Sequence, residues 1–176
     1  MRKMTNYTWH SYFMSLAYLV SMKSKDTSTR VGAVIVGKDN EIRSTGFNGL
    51  PRGIEDVRHR YENKEYKYLA ENHAEENAIL NCARIGVSTD NCNIYTPWLP
   101  CAYCAKSIIQ AGIKTVIYDV NFPGNDQSKL TEYWYNKMMV AKEILAESKI
   151  KLIPFAGDLI KVSGFYQGEL IELKSS

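Results

Sequence analysis

Long apolar runs are missing from this chain of 176 residues. A membrane-crossing helix needs about 20 consecutive apolar residues, and no stretch supplies them. The opening stretch, MRKMTNYTWHSYF, also lacks the apolar core of a signal peptide. Charge of one sign is scarce: 22 Lys and Arg against 19 Asp and Glu leave a net +3, too little for a protein that coats a nucleic-acid polymer. Cysteine is sparse, with four residues. The expectation is a cytoplasmic protein without membrane or polynucleotide partners. In that reducing setting the cysteines read as thiols or metal ligands rather than disulfides. Repeats, low-complexity tracts and linkers are absent too, so residues 1–176 are expected to form a single domain.

What is present is an alternation of helical and extended patterns. Trp9, Phe13, Leu16 and Val20 recur at helical spacing, so residues 8–23 are expected as a helix capped by Thr8. The apolar, β-branched run Val31–Val36 and the stretch Ile42–Phe47 flank a turn-like Gly-Lys-Asp-Asn, which predicts a hairpin. A long polar stretch from Asn48 to about Leu69 reads as a loop. Residues 70–85 read as a helix stopped by Gly86, and 101–111 as one ended by Gly112. Cys92–Thr96, Lys114–Val120 and Ile150–Phe155 read as strands. A last amphipathic helix over 129–147 lines up Leu130, Trp134, Met138, Ala141 and Leu145. The order α-β-β-α-β-α-β-α-β predicts an α/β sheet with helices on both faces. Residues from 157 onward are apolar enough to pack, but the pattern assigns them no place.

Two short pieces carry chemistry together: His73-Ala74-Glu75 and Pro100-Cys101-Ala102-Tyr103-Cys104. One imidazole and two thiolates suit zinc. Cys101 and Cys104 are three apart, so a first helical turn presents both sulfurs, and the positive end of the helix dipole favours thiolate there. Three protein ligands leave a fourth position for water, as in a catalytic zinc site, where the pKa of water falls toward ~7. His73 and Glu75 are two apart and would diverge on a regular helix. Both face the metal only if the helix begins close to His73, later than its pattern suggests. Glu75 is then the proton carrier and not a ligand.

The pairing of H-x-E with P-C-x-x-C is the signature of zinc deaminases. The chain resembles the cytidine deaminase-like superfamily, and within it the deoxycytidylate (dCMP) deaminases. The resemblance rests on SKDTSTRVGAVIV at 24–36, GFNGLPRG at 46–53, HAEENAIL at 73–80 and PCAYCAKSIIQAGI at 100–113. It is close over about residues 8–120. It implies a three-layer α-β-α sandwich around a five-stranded mixed sheet. It also implies hydrolysis of dCMP to dUMP and ammonia, feeding thymidylate synthesis. Attack falls on C4 of cytosine, with Glu75 protonating N3 and then helping the amine leave. The resemblance gives Asn48 to the sugar and the Ala74 backbone to the pyrimidine edge. It further implies a homo-hexamer, activated by dCTP and inhibited by dTTP, each bound with Mg2+. That regulatory site falls on Asn48, Gly49, Pro51, Arg52 and Gly53. Lys25, ahead of the first strand, is a candidate for the substrate phosphate, and Arg52 or Arg58 for a phosphate contact.

The chain departs from the family before Pro100. Relatives carry a small polar and an aliphatic residue where this chain has Thr96-Pro97-Trp98-Leu99. Pro97 stiffens the loop, and Trp98 is expected to line the base pocket or meet another subunit. Taken singly, the four signature residues suit a helix start and buried thiols; Cys82 and Cys92 are expected in the core, although either could complete a structural zinc. The acidic and basic residues of 52–71 cancel, as on a solvated face. Tyr133, Trp134 and Tyr135 read as packing or interface. Two other functions stay open. One is deamination of a polynucleotide base, tRNA adenosine or single-stranded DNA cytosine, which needs a basic groove with stacking aromatics. The other is an inactive zinc-binding module, against which the presence of Glu75 argues.

Overall fold

A computed structural model of the chain describes residues 7–161, 164–166 and 169–171. Residues 1–6 of the N-terminal stretch weighed above as a signal peptide, and part of the C-terminal tail, lie outside the described residues. The elements are α1 (Trp9–Ser21), β1 (Gly32–Val36), β2 (Ile42–Phe47), α2 (Arg58–Glu62), α3 (Lys64–Ala70), α4 (Ala74–Ile85), β3 (Asn93–Thr96), α5 (Ala102–Gln110), β4 (Thr115–Asp119), α6 (Glu132–Glu147), β5 (Lys151–Phe155), β6 (Gly164–Tyr166) and β7 (Glu169–Ile171). Two single 3-10 turns, Pro123–Asn125 and Gln127–Lys129, connect β4 to α6. No helix of the described residues is long and apolar enough to cross a membrane.

The sheet is five-stranded and mixed, in the order β2-β1-β3-β4-β5. β1 runs antiparallel to both β2 and β3, whereas β3, β4 and β5 are parallel. Alternation along each strand divides the core in two. Ala33, Ile35, Ile94, Val116 and Leu152 point to the side packed by α4, α5 and α6. Val34, Val36, Tyr95, Ile117 and Phe155 point to the opposite side, covered by α1 through Phe13, Met14 and Ala17. This is the expected α-β-α sandwich, and Cys82 and Cys92 sit in its core. The short pair β6–β7 forms a separate two-stranded sheet.

Two local expectations change and a third is met. Thr8 does cap α1, accepting the Ser11 N–H. However, the buried stripe of that helix is Phe13, Met14 and Ala17, while Trp9 is exposed. The polar stretch after β2 is not a plain loop, because it holds α2 and α3. Asn63 caps α3 by accepting the Tyr66 N–H, and Lys67 of that helix is buried against Asp26. A tertiary ion pair therefore organises residues whose sequence reads as solvated. Finally, α4 begins at Ala74 with His73 as its N-cap, the late start that the spacing of His73 and Glu75 demands. Gly86 ends it in the left-handed conformation, φ 72°.

Gly46 on β2 fixes where α4 lies. A Cβ there would come within 2.3 Å of Ala78 N and 2.4 Å of Ala74 O. Only glycine lets the first turns of α4, and with them His73 and Glu75, rest on the strand.

Candidate active site

His73 is the N-cap of α4, and Cys101 is the N-cap of α5. Neither side chain is spent on capping, so both are free to turn toward the same point. Cys101 precedes the first helical turn instead of lying within it, while Cys104 follows inside the helix. Two positive helix ends thus converge on two thiols.

The donor atoms lie close together. His73 Nδ1 is 3.5 Å from Cys101 Sγ and 3.3 Å from Cys104 Sγ, and the two sulfurs are 3.9 Å apart. Tetrahedral zinc, with Zn–S of ~2.3 Å and Zn–N of ~2.0 Å, sets sulfur–sulfur at about 3.8 Å and sulfur–nitrogen at about 3.5 Å. The three side chains are already spaced as tetrahedral corners, and they fit zinc by donor chemistry as well. Among the described residues no other His, Cys, Asp and Glu group is so arranged.

Glu75 enters the same space from the first turn of α4. It is buried, and its Oε2 lies 3.6 Å from Cys104 Sγ. Burial, reinforced by the charge on Cys101, pushes the Glu75 carboxyl up to about 7. Burial disfavours a charged His73, but the Cys101 thiolate beside it prevails and raises the imidazole to about 9. Within the coupled thiol pair Cys101 is the thiolate: Cys104 donates to it and His73 lies against it. The same bond to Cys101, together with burial, holds the proton on Cys104.

These groups floor a cavity of about 140 Å³. Its aromatic wall is made by Tyr68, Trp98 and Trp134. The Trp134 ring lies 5.4 Å from Trp98 and 6.3 Å from His73. Its polar end is a buried network around Asn48. Asn48 Oδ1 accepts the Val31 N–H at 2.8 Å, and its Nδ2 donates to Asp26 Oδ2, Thr29 O and Glu71 Oε1. Lys67 Nζ pairs with Asp26 at 2.5 Å and donates to Ser28 Oγ. Burial, then the neighbouring Asp26, pushes Glu71 up to about 7.

The sequence-derived residues divide accordingly. His73, Glu75, Cys101, Asn48 and Ala74 all line the cavity, and Cys104 lies against His73 and Glu75 just behind it. Gly49 forms an isolated bridge with Asn72, next to His73. Pro51, Arg52 and Gly53 are exposed and stand outside the cavity lining, Arg52 donating to Asn81 and Gly53 taking φ 85°. Lys25 is also outside the lining and pairs with Asp56 at 2.6 Å; Arg58 pairs with Glu62 on the surface. Sequence reading missed Asp26, Lys67, Glu71, Trp134 and Met138. Trp134 and Met138 belong to the amphipathic stripe of the last helix; Met138 is buried as that stripe implies, and both also line the cavity.

A family model described as the cytidine and deoxycytidylate deaminase zinc-binding region matches residues 7–120. The mouse deoxycytidylate deaminase is 45% identical over 117 residues, 62% of this chain and 64% of that protein; the match thus spans just under two thirds of its length. An uncharacterised deaminase from the luxG 3′ region of Aliivibrio fischeri is 39% identical over 153 residues, 87% of this chain and 97% of the relative. The dCMP deaminase of cyanophage S-TIM5, solved with dCMP and dUMP, superposes with a TM-score of 0.61 at 25% identity, covering 82% of this chain and 94% of its own.

Proposed function

Because the chain belongs to the cytidine and deoxycytidylate deaminase zinc-binding family, we propose that it hydrolyses dCMP to dUMP and ammonia. The observation that carries this is the tetrahedrally spaced His73, Cys101 and Cys104 facing a buried Glu75 across one small cavity. Zinc held by those three residues supplies a Lewis acid and lowers the pKa of a water toward ~7.

The remaining work falls to the chain's own groups. Glu75, buried beside the metal ligands, takes up and gives back a proton. It accepts a proton from water as the oxygen adds to C4, and delivers it to N3. It then takes the proton of the new C4 hydroxyl and hands it to the 4-amino group, so that the C4–N bond breaks, the C4 carbonyl forms and ammonia leaves. The backbone of Ala74 borders the pyrimidine edge. Trp98 and Trp134 stack on the base and keep bulk water away. The Asn48 network, with the carboxylates of Asp26 and Glu71, offers acceptors to the sugar hydroxyls.

Regulation by dCTP and dTTP with Mg2+, through Asn48, Gly49, Pro51, Arg52 and Gly53, is part of the same reading, as is a homo-hexamer of single-domain subunits. Support for an effector site that reaches beyond the cavity is that Pro51, Arg52 and Gly53 are exposed outside its lining, whereas Asn48 lines it. The test is loss of cytosine absorbance when zinc-loaded protein meets dCMP, with and without dCTP and Mg2+. Turnover that rises with dCTP supports both parts, turnover indifferent to dCTP removes the regulation, and no turnover overturns the substrate.

A further inference from the structure

The loop that carries Cys101 is poor in ways of holding itself. Pro97-Trp98-Leu99-Pro100 has two prolines, so only Trp98 and Leu99 offer backbone N–H groups. A strand ladder cannot fix it, yet the position of Cys101 at the head of α5 depends on it. The bonds come from the segment after β4. Asn125 Oδ1 accepts the Leu99 N–H at 2.9 Å. Asn125 Nδ2 donates to Pro97 O at 2.9 Å and to Asp119 O at 2.6 Å. The Trp98 indole N–H donates to Gly124 O at 2.8 Å, and the Asp119 N–H to Pro97 O at 3.2 Å. Gly124 is pressed so closely on the indole that a Cβ would lie 2.6 Å from it.

From this geometry we infer that Asn125 is a positioning residue for the metal site. Its side-chain amide clasps the 97–99 loop and thereby sets where Cys101 sits. The amide is needed as an amide. One atom meets an N–H and the other faces two carbonyls, and only asparagine at that length offers an acceptor and a two-hydrogen donor together. The clasp holds the loop in which this chain departs from its family, and Gly124 and Asn125 lie beyond the stretch that the family model matches. Asp119 extends the support to α1, since Tyr18 donates to its Oδ2 at 2.8 Å. Groups that orient metal ligands typically tune affinity or activity by about 10–100-fold.

The test uses the full chain loaded with zinc, and separately with cobalt(II), and compares wild type with Asn125→Asp. The carboxylate keeps the size of the side chain but faces two carbonyls without a proton. Zinc release to excess chelator is expected to quicken by about 10–100-fold, with a shift in the cobalt d–d bands. A residue that only stabilised the fold would lower the melting temperature and leave both readouts of the folded protein unmoved. Folded Asn125→Asp with wild-type zinc release and cobalt bands overturns the inference. Should that variant not fold, Trp98→Phe decides: it removes the bond to Gly124 O together with part of the ring pressed on Gly124, and a smaller change in the same direction supports the clasp, while no change overturns it. The inference rests on the zinc site and not on the substrate. A wild type that holds zinc tightly but ignores dCMP would sink the proposed reaction and leave this test standing.

Discussion

His73 and Cys101 reach the cavity from the caps of two helices and stand 3.5 Å apart, whereas Asp26, Asn48 and the pair Lys67 and Glu71 at the end of α3 reach its other end from three stretches of chain. The metal end is made of short motifs whose members are neighbours in sequence. The polar end is made of tertiary contacts, held by one buried ion pair and one asparagine whose amide faces four partners. Chemistry can therefore be removed from the first end by changing one atom. The second end fails through stability, because its charges were taken out of water together.

Glu75→Gln is the sharpest probe of that contrast. It removes the proton carrier without touching the ligands, and kcat for dCMP is expected to fall about 10²–10⁴-fold. Zinc content, measured by elemental analysis, is expected to stay at the wild-type value; a variant as active as wild type would sink the mechanism. Next in size is Lys67→Met, which leaves Asp26 charged and buried. Breaking one side of such a pair costs about 3–5 kcal/mol, a drop of roughly 6–20 °C in melting temperature for a chain of this length. The sign with pH follows from Asp26. Burial works to raise its carboxyl, and Lys67 and Ser28 prevail and hold it below the ordinary value. Its contribution is therefore present above that value, about 3.9, and is lost as the pH falls through the folded-state value. The gap between wild type and Lys67→Met should narrow in acid; a gap that widens would overturn the assignment.

Smaller effects separate binding from folding. Trp134→Ala removes a wall of the base pocket, and stacking of this kind is worth about 1–3 kcal/mol. The expected result is a rise in KM for dCMP with the zinc content unchanged. Thr8→Ala acts far from both ends: loss of the α1 cap costs about 1 kcal/mol and should lower the melting temperature while kcat and KM stay at wild-type values. If it alters KM as much as Trp134→Ala does, the division between the two ends fails.

The same contrast explains what could be read in the sequence. His73, Glu75, Cys101 and Cys104 were legible because spacing alone dictates their geometry, down to the start of α4 at Ala74. The strands were legible from β-branched runs, and the alternation of helices and strands led to the sandwich. Lys67 and Glu71 were hidden in a stretch whose charges cancel, since nothing local tells that Lys67 meets Asp26 across 41 positions. The place of Trp134 and Met138 in the cavity wall was hidden for a related reason: an apolar stripe has the same period whether it faces a core or a cavity. Asn125 sits in a 3-10 turn whose sequence, Pro-Gly-Asn, advertises only a bend.

Gly46 has a consequence for how mutations in this protein will be sorted. Its missing Cβ is what allows α4 to lie on β2, with 2.3 Å to Ala78 N where a methyl would go. In a saturation screen scored by product formation, position 46 will fall among the reaction residues, since every substitution displaces the helix that delivers His73 and Glu75. A parallel screen for protein abundance will separate them: substitutions of Glu75 keep the protein and lose the product, and those of Gly46 lose both.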